Sequence, residues 1–155
     1  MIDTGEIVLR LGLATLAGLM LGFDRELRGF PAGLRTHGIV ALSSAAITVT
    51  SMKLFYEMGG GPGGDSDPLR VIQGVAQAIG FIAAGIVFAS RGEVHNVTTA
   101  ANLWLAAALG IAAGAAHFEV VGVALGIGLI LLVALPLAER LLRGRRSEGE
   151  QEPDR

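Results

Sequence analysis

Residues 120–138 read VVGVALGIGLILLVALPLA, a run without a single charged side chain. About 20 mostly apolar residues suffice to cross a bilayer as a helix, so this run is read as a membrane span. Pro136 lies near its end, where a break in the helix costs least. Working back along the chain, residues 6–23, 37–58, 71–90 and 99–116 meet the same criterion within a few positions. The connections between them, 24–36, 59–70, 91–98 and 117–119, are short. Five helices and their loops consume nearly everything. The expected fold class is therefore an all-α membrane protein, a bundle of five transmembrane helices over residues 1–138. A charged cytoplasmic tail, ending in the acidic SEGEQEPDR, follows over 139–155 and is expected to be disordered.

Composition agrees. The chain has 155 residues, 52% of them hydrophobic and only 17% charged, against about 25% charged in an ordinary soluble domain. Mean hydropathy is +0.59. A disordered chain is excluded, and a soluble globule is disfavoured. The absence of Cys removes disulfides and thiolate metal sites. The first apolar segment follows Asp3 and Glu6, with no basic region before it, so it reads as a retained helix and not as a signal peptide.

Basic residues set the expected orientation. With five spans, Arg25, Arg28, Arg35, Arg91, Arg140, Arg143, Arg145, Arg146 and Arg155 fall on one side, and Arg10, Lys53 and Arg70 on the other. The basic side is expected to be cytoplasmic, which puts the N-terminus outside and the C-terminus inside. Glycine is abundant, 23 of 155 residues, where about 7% is usual. Small residues let helix backbones approach closely in lipid. Gly18 with Gly22, Gly110 with Gly114, and Gly122 with Gly126 are candidate contacts. At least two of these pairs are expected to pack within the bundle; one could instead form a homodimer face.

Polar side chains inside spans are costly and mark functional candidates. His37, Ser44, Thr48 and Ser51 share one stripe of the second span. Gln73 and Gln77 lie one turn apart in the third. Thr98, Thr99 and Asn102 open the fourth. Three helices could turn these faces toward one another, either around a hydrophilic path or simply as interhelical hydrogen bonds, worth about 0.6 kcal/mol each. Every carboxylate, Asp24, Glu26, Glu57, Glu93, Glu119 and Glu139 among them, falls at a span end or in a loop. That disfavours a proton-coupled carrier, and a Mg2+ site could draw only on edge residues such as Asp65, Asp67 or Glu93. His37, His95 and His117 sit at three different segment ends. With no nucleophile–base pair, metal-ligand cluster or phosphate-binding glycine loop, neither enzymatic activity nor a cofactor is expected.

The first connection is the densest chemistry in the chain. Asp24, Arg25, Glu26, Arg28, Arg35, Thr36 and His37 crowd around the helix-breaking Gly29, Pro31 and Gly33, interleaved with Phe30, Ala32 and Leu34. Arg25, Glu26 and Arg35 are read as a cytoplasmic charge network with His37 at its membrane edge. Asp67 and Arg70 frame the external entrance of the third helix; Asp67 could alternatively cap it, with Pro68 at its first position. The Arg140–Arg146 cluster reads as a lipid-facing anchor.

The stretch RELRGFPAGLRTHGIVALSSA (25–45) resembles the signature of the MgtC/SapB family of small bacterial inner-membrane proteins. DPLR (67–70), GFIAAG (80–85) and VTTAANLW (97–104) resemble the family's second block. The chain departs from the pattern at Ser43, Ala83 and Asn96, where the family usually has Gly. Many members continue into a soluble ACT-like domain; the resemblance here covers about residues 8–140, the transmembrane part alone. It implies a multi-pass protein of the bacterial inner membrane, without enzymatic activity. Its function would lie in adaptation to low magnesium and membrane energetics, through restraint of the F-type ATP synthase as a protein partner. The implied role is regulatory. The alternative is a transporter or channel for Mg2+ or another small cation or solute. The lipid bilayer is the other expected partner, and nucleic acid is not one.

Overall fold

The computed structural model describes residues 2–60, 69–90 and 93–149. Helix α1 spans Thr4–Leu27, opened by Asp3, whose side chain accepts the Glu6 N–H at 2.7 Å. It closes into Gly29, whose φ of 70° is a conformation glycine adopts without a Cβ penalty. Helix α2, Leu34–Glu57, begins after a residue that has no side chain to cap it, Gly33. The cap comes from α1: Glu26 Oε2 accepts the Leu34 N–H at 3.0 Å. Helix α3, Leu69–Ile86, leads into a hairpin of two three-residue strands, β1 (Phe88–Ser90) and β2 (Glu93–His95), paired antiparallel. Helix α4, Val97–Gly114, follows a left-handed Asn96, and α5 runs from Phe118 to Gly149 with Pro136 inside it.

Among the described residues, five helical segments are long and apolar enough to cross a membrane: Thr4–Leu27, Leu34–Glu57, Leu69–Ile86, Val97–Gly114 and Phe118–Pro136. The expected all-α membrane bundle is what the chain forms. Two boundaries differ from expectation. The third helix stops at Ile86, because Val87, Phe88 and Val94 are β-branched or aromatic and favour a short hairpin over a further helical turn. The fifth helix continues beyond Ala138 to Gly149, where an unstructured tail was expected. The stretch ERLLRGRR (139–146) is rich in good helix formers, and residues 150–155 lie outside the described ones.

Helix α4 is the centre of the bundle and touches all four others. Around it the interior is built from small side chains, with Ala14, Ala17, Ala41, Ala45, Ala106 and Ala113 buried beside Leu21, Leu103 and Leu109. This lets backbones meet. A Cβ at Gly18 would lie 2.8 Å from Ala41 Cβ, and one at Gly114 would lie 2.8 Å from both Ala45 O and Thr48 Cβ. Two of the expected small-residue pairs thus pack inside the bundle, Gly18/Gly22 between α1 and α2, and Gly110/Gly114 between α4 and α2. Gly122 and Gly126 face open space. The outer surfaces carry large apolar side chains such as Phe81, Val123 and Ile130, as a lipid-facing surface requires.

Candidate functional site

The polar residues gather where the end of α1, the 28–33 turn, and the starts of α2 and α4 meet. Arg25 is the hub. It is only 4% exposed, although it sits one turn from a charged loop. Its Nη2 donates to Thr99 Oγ1, and its guanidinium lies over the Phe30 ring, 3.6 Å from the centroid. Phe30 is held there by its own N–H, which donates to the Arg25 carbonyl at 3.0 Å. Among the described residues no carboxylate stands within ion-pair distance of Arg25, and its Nε has no partner. Asp24 is committed to Arg28 one turn on, at 2.8 Å.

His37 is fully buried below this turn. Its Nδ1 lies 2.9 Å from the Gly33 carbonyl oxygen. A carbonyl only accepts, so Nδ1 carries the proton, and the Nε2 that remains has no partner among the described residues. Asn102, one turn beyond Thr99, is buried with its Nδ2 unpaired. Thr36 is half-buried, while Gly29 and Arg35 are exposed. The sequence's first loop and the opening of its fourth span therefore form one cluster, joined through Arg25 and Thr99. Glu26 belongs to it as the cap of α2.

Ser44 and Thr48 continue the buried stripe along α2, with Thr48 Oγ1 donating back to the Ser44 carbonyl at 2.8 Å. They face the backbone of α4 at Gly110 and Gly114. The helices are in close contact at these positions, and Thr48 also stands on a cavity wall. Gln73 and Gln77 do not join it. The buried positions of α3 are Val75 and Ile79, and residues two places away in a helix point to nearly the opposite side, so both amides are exposed. Thr98 and Arg70 are exposed too, and Asp67 lies outside the described residues. The three polar faces thus meet only in part: α2 with α4.

A second buried cation escaped the sequence reading as a site. Arg10, 6% exposed in α1, donates through Nη1 to the Gly114 carbonyl at 2.7 Å and pairs through Nη2 with Glu6. It places a cation at the C-terminal end of α4, where the helix dipole favours one. The available signal was an Arg four residues after a Glu inside an apolar run.

Two cavities flank the seam. One, about 390 Å³, opens at the Arg25 end between Arg28, Phe30, Thr98, Thr99 and the α5 residues Leu131 and Pro136. The other, about 340 Å³, lies toward the opposite end, between Ser51, Met52, Ile72, Ile111 and His117, and its lining is almost wholly apolar. Among the described residues no three His, Asp or Glu side chains come together as a metal-ligand set. His95 instead stacks on Phe88 at 5.2 Å.

The sequence has relatives among known proteins. A family model described as the MgtC family matches residues 11–141. Protein SapB of Bacillus subtilis is 36% identical over 136 residues, covering 87% of this chain and 59% of the relative. The Escherichia coli K12 protein named "Putative magnesium transporter YhiD" is 34% identical over 75% of the chain and 54% of its own length. Protein MgtC of Brucella abortus is 40% identical over 66% of the chain and 40% of its own length. The chain thus spans about half the length of the curated relatives it matches. No solved structure matches it.

Proposed function

This chain belongs to the MgtC family, and from that premise we propose that it is a regulatory membrane protein acting by helix contact with a larger membrane complex. Its multi-pass bundle resides in the bacterial inner membrane. The proposed role is in adaptation to low magnesium, with the F-type ATP synthase as the partner complex and no catalytic step of its own. The proposed orientation keeps the Arg25 end and the C-terminus cytoplasmic.

The observation that carries this reading is the closure of the α2–α4 seam. The Cβ atoms of Ser44 and Thr48 pack against α4 at Gly110 and Gly114, and the Thr48 hydroxyl bonds back to its own helix. A conduit through the single chain would need a polar route along that stripe. The other buried polar groups fall into end clusters around Arg25 and Arg10. The outer faces of α3 and α5, with Phe81, Gly122 and Gly126 exposed, are free to meet lipid or another helix. Affinity capture of the tagged chain from native membranes at low Mg2+, with identification by mass spectrometry, tests the proposal. Recovery of ATP synthase subunits above background is the expected result; recovery of no membrane complex would count against it.

A further inference from the structure

Arg25 poses a physical problem that the seam does not solve. A guanidinium taken out of water without a counter-charge is costly, yet this one is 4% exposed and has no carboxylate partner among the described residues. Thr99 and the Phe30 face satisfy part of it, and Nε remains unpaired. Arg25 lines the 390 Å³ cavity together with Arg28 and the first turn of α4. Among the described residues, Asp24, already paired with Arg28, is the one acid at its wall. The described lining, two Arg against one Asp, is therefore net cationic. Its other resources also suit an anion. Asn96 makes no side-chain cap to α4; its amide nitrogen donates to the Ile86 carbonyl at 3.2 Å. The first-turn N–H groups, with the exposed Thr98 hydroxyl beside them, are left for an acceptor.

The depth is informative. The α5 residues on the wall, Leu131, Leu132 and Pro136, are the last turns of its apolar span, and Arg25 and Arg28 stand at the end of the α1 span. The cavity sits at the boundary between hydrocarbon and headgroups, polar on its α1 and α4 sides and apolar on its α5 side. We propose that this cavity binds an anionic phosphate group, with Arg25 as the buried counter-charge and Arg28 and the α4 N-terminus completing the cradle. A phospholipid headgroup and a free phosphate share that chemistry. The inference is independent of the regulatory reading above.

Native mass spectrometry of the full chain in detergent, after exposure to mixed phosphatidylglycerol and phosphatidylcholine vesicles, tests the lipid source. Phosphorus NMR of the lipid-stripped chain with inorganic phosphate tests the free one. Wild-type protein should retain phosphatidylglycerol over phosphatidylcholine, or broaden the phosphate signal, or both. Arg28→Gln, at an exposed position that leaves the bundle intact, should weaken whichever is seen by about fivefold, the effect of one Arg on an anionic lipid. Arg25→Gln should abolish it. Phosphatidylglycerol retention without a phosphate response assigns the site to a lipid; a phosphate response that competes with the lipid assigns it to phosphoryl anions in general. Binding in neither arm, or binding unchanged in Arg28→Gln with circular dichroism showing a folded chain, would overturn the proposal.

Discussion

Arg10 and Arg25 are two buried cations of the same helix that have solved the same problem differently. Arg10 has a carboxylate at i−4 and a helix-end carbonyl, so its charge is answered within the chain. Arg25 touches a hydroxyl and an aromatic face, and the acid beside it, Asp24, is paired with Arg28. This difference separates a structural clamp from a binding residue. Arg10→Met should strip the Gly114 carbonyl of its donor and destabilise the bundle by about 1–3 kcal/mol, the penalty for an orphaned buried polar group. A lower thermal midpoint in detergent is the readout, with Lys53→Met, which removes no described contact, as the reference. Equal midpoints for the two variants would show that Arg10 clamps nothing. Neither role was legible in the sequence. Arg10 counts there only as one more edge charge, and Arg25 as a member of a cytoplasmic charge network with Glu26 and Arg35, because burial depends on how α1 meets α4.

The helices themselves were largely legible, since hydropathy over 18 or more residues is a property of each segment alone. What depends on partners was not. Gln73 and Gln77 invite assignment to a polar interior, but α3 buries the opposite side through Val75 and Ile79, a choice made by its contact with α4. The hairpin at 88–95 was hidden by the apolar run that precedes it. The glycine pairs were recognisable as contact motifs, while only the assembled bundle distinguishes those that are used. Gly110→Val should be poorly tolerated, because the new Cβ would press into the Ala41 carbonyl; overpacking of this kind costs about 1–3 kcal/mol. Gly122→Val, in open space, should change stability by no more than about 0.5 kcal/mol. Thermal unfolding of the two variants side by side checks this, and equal losses would mean that the α2–α4 seam is not a close contact.

At the scale of the whole molecule, orientation and closure decide what the bundle can do. The excess of Arg at the Arg25 end predicts a cytoplasmic location for that end. The chain has no Cys, so single-cysteine reporters are clean. Thr4→Cys should react with a membrane-impermeant maleimide from outside the inner membrane, and Ser147→Cys should be protected; the reverse pattern would invert the topology. The family motif in the first loop was legible from residue order alone, and the structure adds that this loop and the start of α4 form one polar end. Between that end and the Arg10 end, α2 and α4 are packed backbone against backbone. The closed seam supports the proposed role of a contact-dependent regulator over that of a conduit. Reconstitution into liposomes loaded with a Mg2+-sensitive dye tests it most directly. Flux equal to that of empty liposomes is the predicted result; Mg2+ flux reproducibly above it would overturn the regulatory reading.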